Sequence, residues 1–267
     1  MNQPNATQPN IPSFSAYVDD RRYLKNVSPK TLAWYQDAWK AFGPHIEPIL
    51  ASGARLGDGL RAGIIALQEK NVRPVSINSY LTCVRACANW LHAEGYLKEK
   101  PKVQILKYEH KVIATFSAAQ VKALLSFKPK GVNETRTWTA VCVMLDTGVR
   151  LAEVLGLRKG DADFENLLLR IKGKGNKQRM VPLSFELRKI LYRYSLKQKH
   201  DLLFGTRNGT LVTNRNLERD FKAICNKLHI TGVRCSPHTL RHTFAVSYLR
   251  NGGNLFYFVK NPGPHLG

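Results

Sequence analysis

Three short segments of the sequence carry basic side chains in positions that suit phosphate binding. The first is TGVRLAEVLGLR, in which Gly148 ends one helical pattern and Arg150 opens the next. The Arg150 guanidinium should therefore lie near the free backbone N–H groups of a helix N-terminus. Glu153, one turn on, could orient this cation, or it could form only an ordinary helical ion pair with an exposed Arg150.

The second segment, IKGKGNKQRMVPL, is typical of a tight β-turn between two strands. It holds no acid and four cations, which are Lys172, Lys174, Lys177 and Arg179. A lysine at a hairpin tip can approach a phosphate or a base, whereas the plainer interpretation is a solvated basic turn. The glycines do not indicate a nucleotide-binding loop, because GKGNK lacks the GxxxxGK[ST] spacing and no helix follows it in register.

The third segment, SPHTLRHTFAVSYL, predicts a helix with Ser236 at its N-cap and Pro237 at its first position. His238 and Arg241 then lie on one helical face, where an imidazole and a guanidinium can meet the same anion. His238 and His242 have the spacing of a zinc pair, but the glutamate of HExxH is missing and no third ligand is evident, so we predict no metal. The alternative is a capped surface helix that binds nothing.

These segments need a scaffold, and the sequence predicts two domains to supply it. Residues 1–10 indicate a disordered tail, because they lack the basic and apolar regions of a signal peptide. Residues 11–97 have apolar positions at helical spacing and predict a four-helix domain, with helix starts near Ser28 and Ser76. Residues 98–112 are charge-rich, contain a proline and predict an exposed linker between the domains.

The second predicted domain, residues 113–267, is mostly helical. Its helical patterns cover residues 117–127, 135–147, 184–198, 214–228 and 237–250. Between them, the β-like runs NLLLRI and RMVPL flank the glycine turn and predict a hairpin. The predicted fold class is therefore mainly α with a small β-sheet.

The charge of the chain indicates a polyanionic partner. The sequence has 41 Lys and Arg against 19 Asp and Glu, a formal charge of +22, which is more than solubility requires. The first hundred residues hold 12 basic and 8 acidic side chains and the rest hold 29 and 11, so the second domain should make most phosphate contacts. A membrane is the less suitable polyanion, because no run of about 18 apolar residues or basic amphipathic helix is present. Five irregularly spaced cysteines are typical of buried thiols in the cytoplasm.

Taken in order and spacing, these segments resemble the tyrosine recombinases, the phage integrase family that includes the Xer-like site-specific recombinases. Arg150 matches the first arginine of that family, Lys174 the lysine of its β-hairpin, and His238 with Arg241 its HxxR motif. The helical domain before them resembles the family's SAM-like core-binding domain, and the resemblance covers residues 11–260. It implies that an α+β catalytic domain follows and that the partner is double-stranded DNA.

The resemblance also implies a reaction, the cutting and rejoining of DNA strands without a metal or other cofactor. A tyrosine attacks the scissile phosphate to form a 3′-phosphotyrosyl link, and the freed 5′-hydroxyl later attacks a partner strand. Arg150 and Arg241 would hold the non-bridging oxygens. Lys174 would protonate the leaving oxygen, and His238 would bind the phosphate or accept the tyrosine proton. Glu153 would orient and buffer these cations.

The other hairpin cations and the assembly state are expected on the same grounds. Lys172, Lys177 and Arg179 would contact DNA. Four protomers of the family synapse two DNA sites, so a homo-oligomer is expected, acting in the cytoplasm and not at a membrane.

The sequence departs from the family pattern after Arg241. The family continues through a helix to a Gly-His or Gly-Trp step and then to the nucleophilic tyrosine, but here NGGNLFYFVK is followed by NPGPHLG. His265 lies near the expected histidine, in a helix-breaking stretch, and no tyrosine follows it. Tyr248 and Tyr257 come too early and are interpreted as packing aromatics. The expectation is a chain truncated before its nucleophile, which binds DNA and does not cleave it.

Two other classes of function account for part of the pattern. One is a non-catalytic DNA-binding or regulatory protein derived from a recombinase, for which positive charge would suffice without this particular set of arginines, lysine and histidine. The other is a relative of the type IB topoisomerases, which share the catalytic cluster. The compact helical N-terminal domain favours the recombinase.

Overall fold

A computed structural model of the chain describes residues 13–51, 55–100, 102–109, 113–173 and 177–253. The backbone divides into two compact units, residues 1–111 and 112–267. Each unit has a buried apolar core of its own, so each is described by itself. Within the described ranges, no helix combines the length and the apolar character needed to cross a membrane.

The first unit is built from helices. Those described are α1 (Phe14–Asp19), a π-helical turn (Asp20–Leu24), α2 (Pro29–Ala51), α3 (Leu56–Glu69) and α4 (Pro74–Ala93). Two clusters of buried apolar side chains hold them together, one around Phe42 and Ile77 and the other around Tyr17 and Cys87. Burial of these side chains on facing helices accounts for the helical spacing of the apolar residues in the sequence.

Proline marks the start of two helices in this unit. α2 begins at Pro29, directly after Ser28, as predicted. α4 begins at Pro74, two residues before Ser76, near which its start was predicted. Proline suits the first position because the N–H that it lacks has no acceptor there and because its φ is already helical.

Part of the predicted linker, residues 102–109, is attached to the first unit. The side-chain amide of Asn78 on α4 donates to the Leu106 carbonyl and accepts from the Leu106 N–H, both at 2.8 Å. Val103 and Leu106 also pack against the cluster around Phe42. This part of the predicted linker, whose residues are mostly exposed, is therefore fixed to the first unit by a side chain that satisfies both backbone groups of Leu106.

The second unit combines helices with one small sheet. Its elements are α5 (Ala118–Ser126), α6 (Gly131–Thr147), α7 (Leu151–Leu155), a 3-10 turn (Lys159–Asp161), β1 (Ala162–Asp163), β2 (Leu168–Lys172), β3 (Gln178–Pro182), α8 (Phe185–Leu196), α9 (Asn214–Lys227) and α10 (Pro237–Arg250). The predicted fold class, mainly α with a small β-sheet, is confirmed, and each predicted helical pattern of this half corresponds to a helix.

The sheet is antiparallel with strand order β1-β2-β3. β2 and β3 form the predicted hairpin, with Lys172 opposite Gln178 at the end of its stem. On β2, Leu169 and Ile171 are buried in the core, while Arg170 and Lys172, which alternate with them, are exposed. The short strand β1 was not predicted, because two residues are too few to show a period of two.

α6 is the central helix of this unit and packs against α7, α8, α9 and α10. Met144 of α6, Ile171 of β2 and Leu240 of α10 belong to one buried cluster. The end of α6, the hairpin stem and the start of α10 are therefore neighbours, and they carry the basic segments that stood out in the sequence.

Candidate phosphate-binding site

The junction between α6 and α7 orients Arg150. Gly148 ends α6 with a left-handed backbone, φ 63°, which a residue with a side chain adopts only with strain. Arg150 then occupies the N-cap of α7. The Glu153 carboxylate accepts from the backbone N–H of Arg150 at 2.8 Å and from its guanidinium at 3.2 Å. The helix start thus fixes one carboxylate and one guanidinium at the same point.

Glu153 is the acidic centre of the site. Its side chain is 6% exposed, and Arg179 of β3 donates to both of its oxygens, at 2.9 and 2.8 Å. Burial alone would raise the pKa of Glu153, but the hydrogen bonds from Arg179 and the Arg150 backbone, with the charges of both arginines, hold that pKa below its usual value. The carboxylate is therefore ionised at neutral pH.

α10 brings a further guanidinium to this point. Ser236 caps the helix by accepting from the Thr239 N–H at 3.3 Å, and Pro237 occupies its first position, as predicted. Arg241 is 4% exposed and donates from Nη1 to the carbonyl of Gly148. Its Nε and Nη2 are buried and have no hydrogen-bond partner in the described part of the chain. Buried donors without acceptors are costly, so this arrangement suits a ligand that supplies acceptor oxygens.

Positive charge exceeds negative charge at this point. Three guanidiniums, those of Arg150, Arg179 and Arg241, share one described carboxylate, that of Glu153. Burial, then the charge of Arg150, then that of Arg179 lower the pKa of Arg241 well below its usual value, to about 9, against the opposing effect of Glu153. Arg241 is still protonated at neutral pH, and a bound anion would relieve the excess charge around it.

Two histidines flank Arg241 on α10. His238 is exposed on the first turn, and His242 is half-buried. Burial, followed by the nearby His238 and Arg241, lowers the pKa of His242, which favours its neutral form at pH 7. Within the described ranges, no group of three His, Cys, Asp or Glu side chains is placed to hold a metal ion.

Two buried carboxylates tie down the stem of the β2–β3 hairpin. Asp161 accepts from Arg170 at 2.9 Å and lies 3.6 Å from the Lys172 ammonium. The second carboxylate is that of Glu153 at the start of α7, which pairs with Arg179. Lys172 and Arg179, both predicted as DNA contacts, are therefore ion-paired within the protein. Lys177 is exposed.

Lys174, the predicted lysine of the hairpin tip, lies outside the described residues. Its neighbour Gly173 is part of the site, because a Cβ added to this glycine would lie 3.8 Å from Oε1 of Glu153. The Gly173 N–H also donates to the Lys177 carbonyl at 2.8 Å, which closes the end of the stem. The stem therefore ends beside the carboxylate that the guanidiniums surround.

Of the two tyrosines and the histidine that were considered near the end of the sequence, Tyr257 and His265 lie outside the described residues. Tyr248 is described and lies in α10, where its ring stacks on that of Phe244 with 5.9 Å between centroids. This contact is consistent with its interpretation as a packing aromatic.

The sequence reasoning missed the partner of Arg179 and the role of the Gly148 carbonyl. Strand alternation offered a signal for the first: Arg179 shares the half-buried face of β3 with Val181, whereas Gln178 and Met180 are exposed. The contact between Arg241 and the Gly148 carbonyl had no signal in the sequence, because every residue has a carbonyl and only the fold decides which one accepts from Arg241.

Replacing Ser236 by alanine should loosen the start of α10. Loss of the cap is expected to lower the free energy of unfolding by about 1 kcal/mol, since one of the first N–H groups loses its acceptor. Urea denaturation of the two proteins measures this difference. Ser236→Thr, which keeps the hydroxyl, should recover most of it, and equal losses in both variants would contradict the capping role.

The fold and the arginine cluster define a class of protein, and comparison with known proteins identifies it. The Phage integrase family matches residues 114–258, which is more than half of the chain. The chain therefore belongs to the phage integrase family, the tyrosine recombinases, and the resemblance that the sequence motifs indicated is confirmed.

Particular relatives are bacterial Xer proteins. The tyrosine recombinase XerD of Lacticaseibacillus casei is 28% identical over 259 residues, covering 92% of this chain and 86% of the relative. The tyrosine recombinase XerC of Syntrophus aciditrophicus is 30% identical over 210 residues, covering 73% and 68%.

Solved structures of two integrases have the same fold. A dimer of lambda integrase bound to a COC′ core site superposes with a TM-score of 0.73 at 13% identity, covering 92% of this chain and 88% of the integrase chain. The Tn1549 transposon integrase in complex with a circular intermediate DNA gives a TM-score of 0.70 at 20% identity, covering 90% and 87%.

Proposed function

We propose that this chain is a site-specific DNA recombinase or integrase that binds duplex DNA and holds the scissile phosphate between Arg150 and Arg241. Its Xer relatives are tyrosine recombinases, and two integrases of the same fold were solved on DNA. In this proposal residues 11–97 form a core-binding domain, residues 98–112 join it to the next domain, and residues 113–267 form the catalytic domain.

The observation that carries the proposal is the state of Arg241. Its guanidinium is buried, its Nε and Nη2 have no partner among the described residues, and two further guanidiniums lie close by. A non-catalytic DNA-binding protein has no need to bury an arginine in this way, because exposed lysines and arginines bind the DNA backbone without a desolvation cost. A phosphodiester in this pocket would supply both the acceptors and the negative charge.

The same geometry suits the chemistry of strand transfer. Attack on a phosphodiester places additional negative charge on the non-bridging oxygens, and arginines stabilise that charge through charge-assisted hydrogen bonds while remaining protonated. Arg150 and Arg241 take this role, since each is already oriented by a contact within the protein. His238, exposed one turn before Arg241, binds the phosphate or takes the tyrosine proton, and Lys174 protonates the leaving 5′-oxygen.

The remaining assignments follow from duplex DNA as the substrate. A DNA contact was predicted for Lys172, Lys177 and Arg179. The proposal keeps this role for Lys177, which is exposed, and gives Lys172 a weaker contact with DNA, because it is also ion-paired with Asp161. The protein assembles on paired DNA sites as a homo-oligomer and acts in the cytoplasm.

Binding to duplex DNA should depend steeply on salt. The logarithm of the association constant is expected to fall with the logarithm of salt concentration by about 0.9 for each phosphate neutralised, which gives a slope steeper than about −3 for an extended contact. Fluorescence anisotropy with a labelled duplex of arbitrary sequence measures this slope, since backbone contacts do not require the target site. A slope near zero would exclude the proposed mode of binding.

A suicide substrate separates binding from covalent chemistry. For a polypeptide of residues 1–267, in which no tyrosine follows His265, we expect a shifted band on a native gel and no covalent protein–DNA band on a denaturing gel. A covalent band would assign the attack to a tyrosine already present, with Tyr248 and Tyr257 tested first by phenylalanine substitution.

A further inference from the structure

We infer that Arg179 is a positioning residue: it holds the Glu153 carboxylate so that Arg150 and Arg241 remain available to the scissile phosphate. Arg179 was predicted to contact DNA, but in the structure its guanidinium donates to the Glu153 carboxylate. The inference rests on the proposed function and adds a residue to it.

The geometry leaves Arg179 little capacity to bind DNA itself. Its side chain is 17% exposed, against 40% for that of Arg150. Both terminal nitrogens of Arg179 donate to Glu153, one to each oxygen, whereas Arg150 contributes a single longer contact of 3.2 Å from its guanidinium. A bidentate pair of this kind is strong and directional, so Arg179 is the principal partner of the carboxylate.

Without Arg179, the carboxylate would compete with the phosphate. Glu153 is buried and ionised, so it requires donors, and the nearest guanidiniums left are those of Arg150 and Arg241. The unused Nε and Nη2 of Arg241 are the donors that the proposed function assigns to the phosphate. If the Glu153 carboxylate accepts from these two nitrogens, it occupies the anion site in place of the phosphate.

The same pair joins two elements of the second unit. Arg179 lies on β3 and Glu153 on α7, and Gly173, at the end of the hairpin stem, lies against the pair. Arg179 therefore also fixes the stem from which the Lys174 segment continues. This part of its role is a matter of position and needs no contact with DNA.

A non-titrating anion tests the inference without a DNA target. Sulfate is tetrahedral and stays doubly charged across neutral pH, so its effect on a resonance of the pocket reports on anion binding without a change in the protonation of the anion. With ¹⁵N-labelled arginine, the Nε–H resonance of Arg241 follows sulfate binding at constant ionic strength. The proteins compared are wild type, Arg179→Met, Glu153→Gln and the double variant.

We expect Arg179→Met to weaken sulfate binding by about tenfold or more, because a charge-assisted contact from Glu153 must now be broken to admit the anion. Glu153→Gln should bind sulfate at least as well as wild type. In the double variant the competing carboxylate is gone, so sulfate affinity should return to within about threefold of that of Glu153→Gln. Recovery upon adding a second mutation is a result that mere loss of structure would not give.

Arg170→Met is the matched control. Arg170 lies on the neighbouring strand β2 and also pairs with a buried carboxylate, but with Asp161 and not with Glu153. It should lose a comparable amount of stability and keep wild-type sulfate affinity. Arg179→Lys keeps the charge but cannot make the bidentate contact, so its sulfate affinity should lie between those of wild type and Arg179→Met. If the methionine variant does not fold, Arg179→Lys alone and combined with Glu153→Gln provides the same comparison.

The possible outcomes separate the inference from the proposed function. If sulfate does not move the Arg241 resonance in wild type, the anion site itself is wrong. If wild type binds sulfate and Arg179→Met binds it equally well, the positioning role is wrong and the proposed function stands. A double variant as weak as Arg179→Met would show that Arg179 acts on the anion directly and not through Glu153, which would also overturn the inference.

Discussion

Replacement of Arg241 by methionine is expected to abolish anion capture while leaving the protein as stable as before, or more stable. Two charge-assisted hydrogen bonds are lost, which corresponds to a loss of at least about 100-fold in sulfate affinity. Methionine fills a similar volume without a buried charge, and removal of a buried unpaired charge in favour of an apolar side chain is neutral or stabilising by about 1–4 kcal/mol. The Gly148 carbonyl, which loses a donor, reduces that gain.

The pH dependence of stability gives this prediction a second test. Folding lowers the pKa of Arg241 from its usual value to about 9, so the unfolded chain binds the proton more tightly than the folded one. The resulting destabilisation is present in full below about pH 9 and is relieved as the pH rises through that value. The advantage of Arg241→Met over wild type in urea denaturation should therefore be largest at neutral pH and shrink above about pH 9.

Lys222→Met is the control for Arg241→Met. Lys222 is exposed on α9, and its replacement removes the same charge and introduces the same side chain. Sulfate affinity should not change in this variant. On duplex DNA, Arg241→Met should lower the salt slope by about one unit, as expected for one lost phosphate contact. Because Arg241→Met lacks the Arg241 resonance, its sulfate affinity is followed through the Nε–H resonance of Arg150, and a wild-type value would contradict the assignment of the site.

Substitution of Gly148 by alanine is expected to be strongly destabilising. The left-handed backbone costs a residue with a side chain about 1–2 kcal/mol, and the new Cβ would lie 2.2 Å from Cδ1 of Phe244. Overpacking of this kind adds about 1–3 kcal/mol. The shift of α10 needed to relieve the clash would also separate Arg241 from the Gly148 carbonyl, so sulfate affinity should fall together with stability.

Two comparisons test this account of Gly148. Gly156 ends α7 with an ordinary backbone, and its added Cβ would come no closer than 3.4 Å to the Ala152 carbonyl oxygen, so Gly156→Ala should change the melting temperature little. In a Phe244→Ala background, Gly148→Ala should cost less by about 1–3 kcal/mol, because only the backbone strain remains. An equal cost in both backgrounds would show that the clash with the ring is not the cause.

The sequence predicted most of what local patterns can determine. Helical spacing located α6 and α10, and serine followed by proline located the start of α10. Alternation around a glycine turn located the β2–β3 hairpin. Arg150 and Arg241 could be chosen because their types and spacing match a phosphate-binding motif.

What the sequence did not predict depends on contacts between distant residues. Arg179 and Glu153 are separated by a turn, a strand and a hairpin, and only the folded chain shows that they pair. The hydrogen bonds between the Asn78 side chain and the Leu106 backbone could not be predicted either, because the sequence does not show which backbone groups a side-chain amide will contact. Net charge could not distinguish the cations that pair within the protein, such as Arg170, from those that remain for DNA.

The pairing of Arg179 with Glu153 limits how this lineage can diverge. Loss of the arginine alone leaves a buried carboxylate whose nearest remaining donors are the Arg150 and Arg241 guanidiniums, whereas loss of the carboxylate alone leaves Arg179 without its acceptor but creates no competitor for a bound anion. If the proposed function holds, loss of Arg179 while Glu153 is kept is the unfavourable step, so homologues that lack the arginine should also lack the carboxylate. Descendants that no longer need the anion site would lose this dependence before they lose the helices around it.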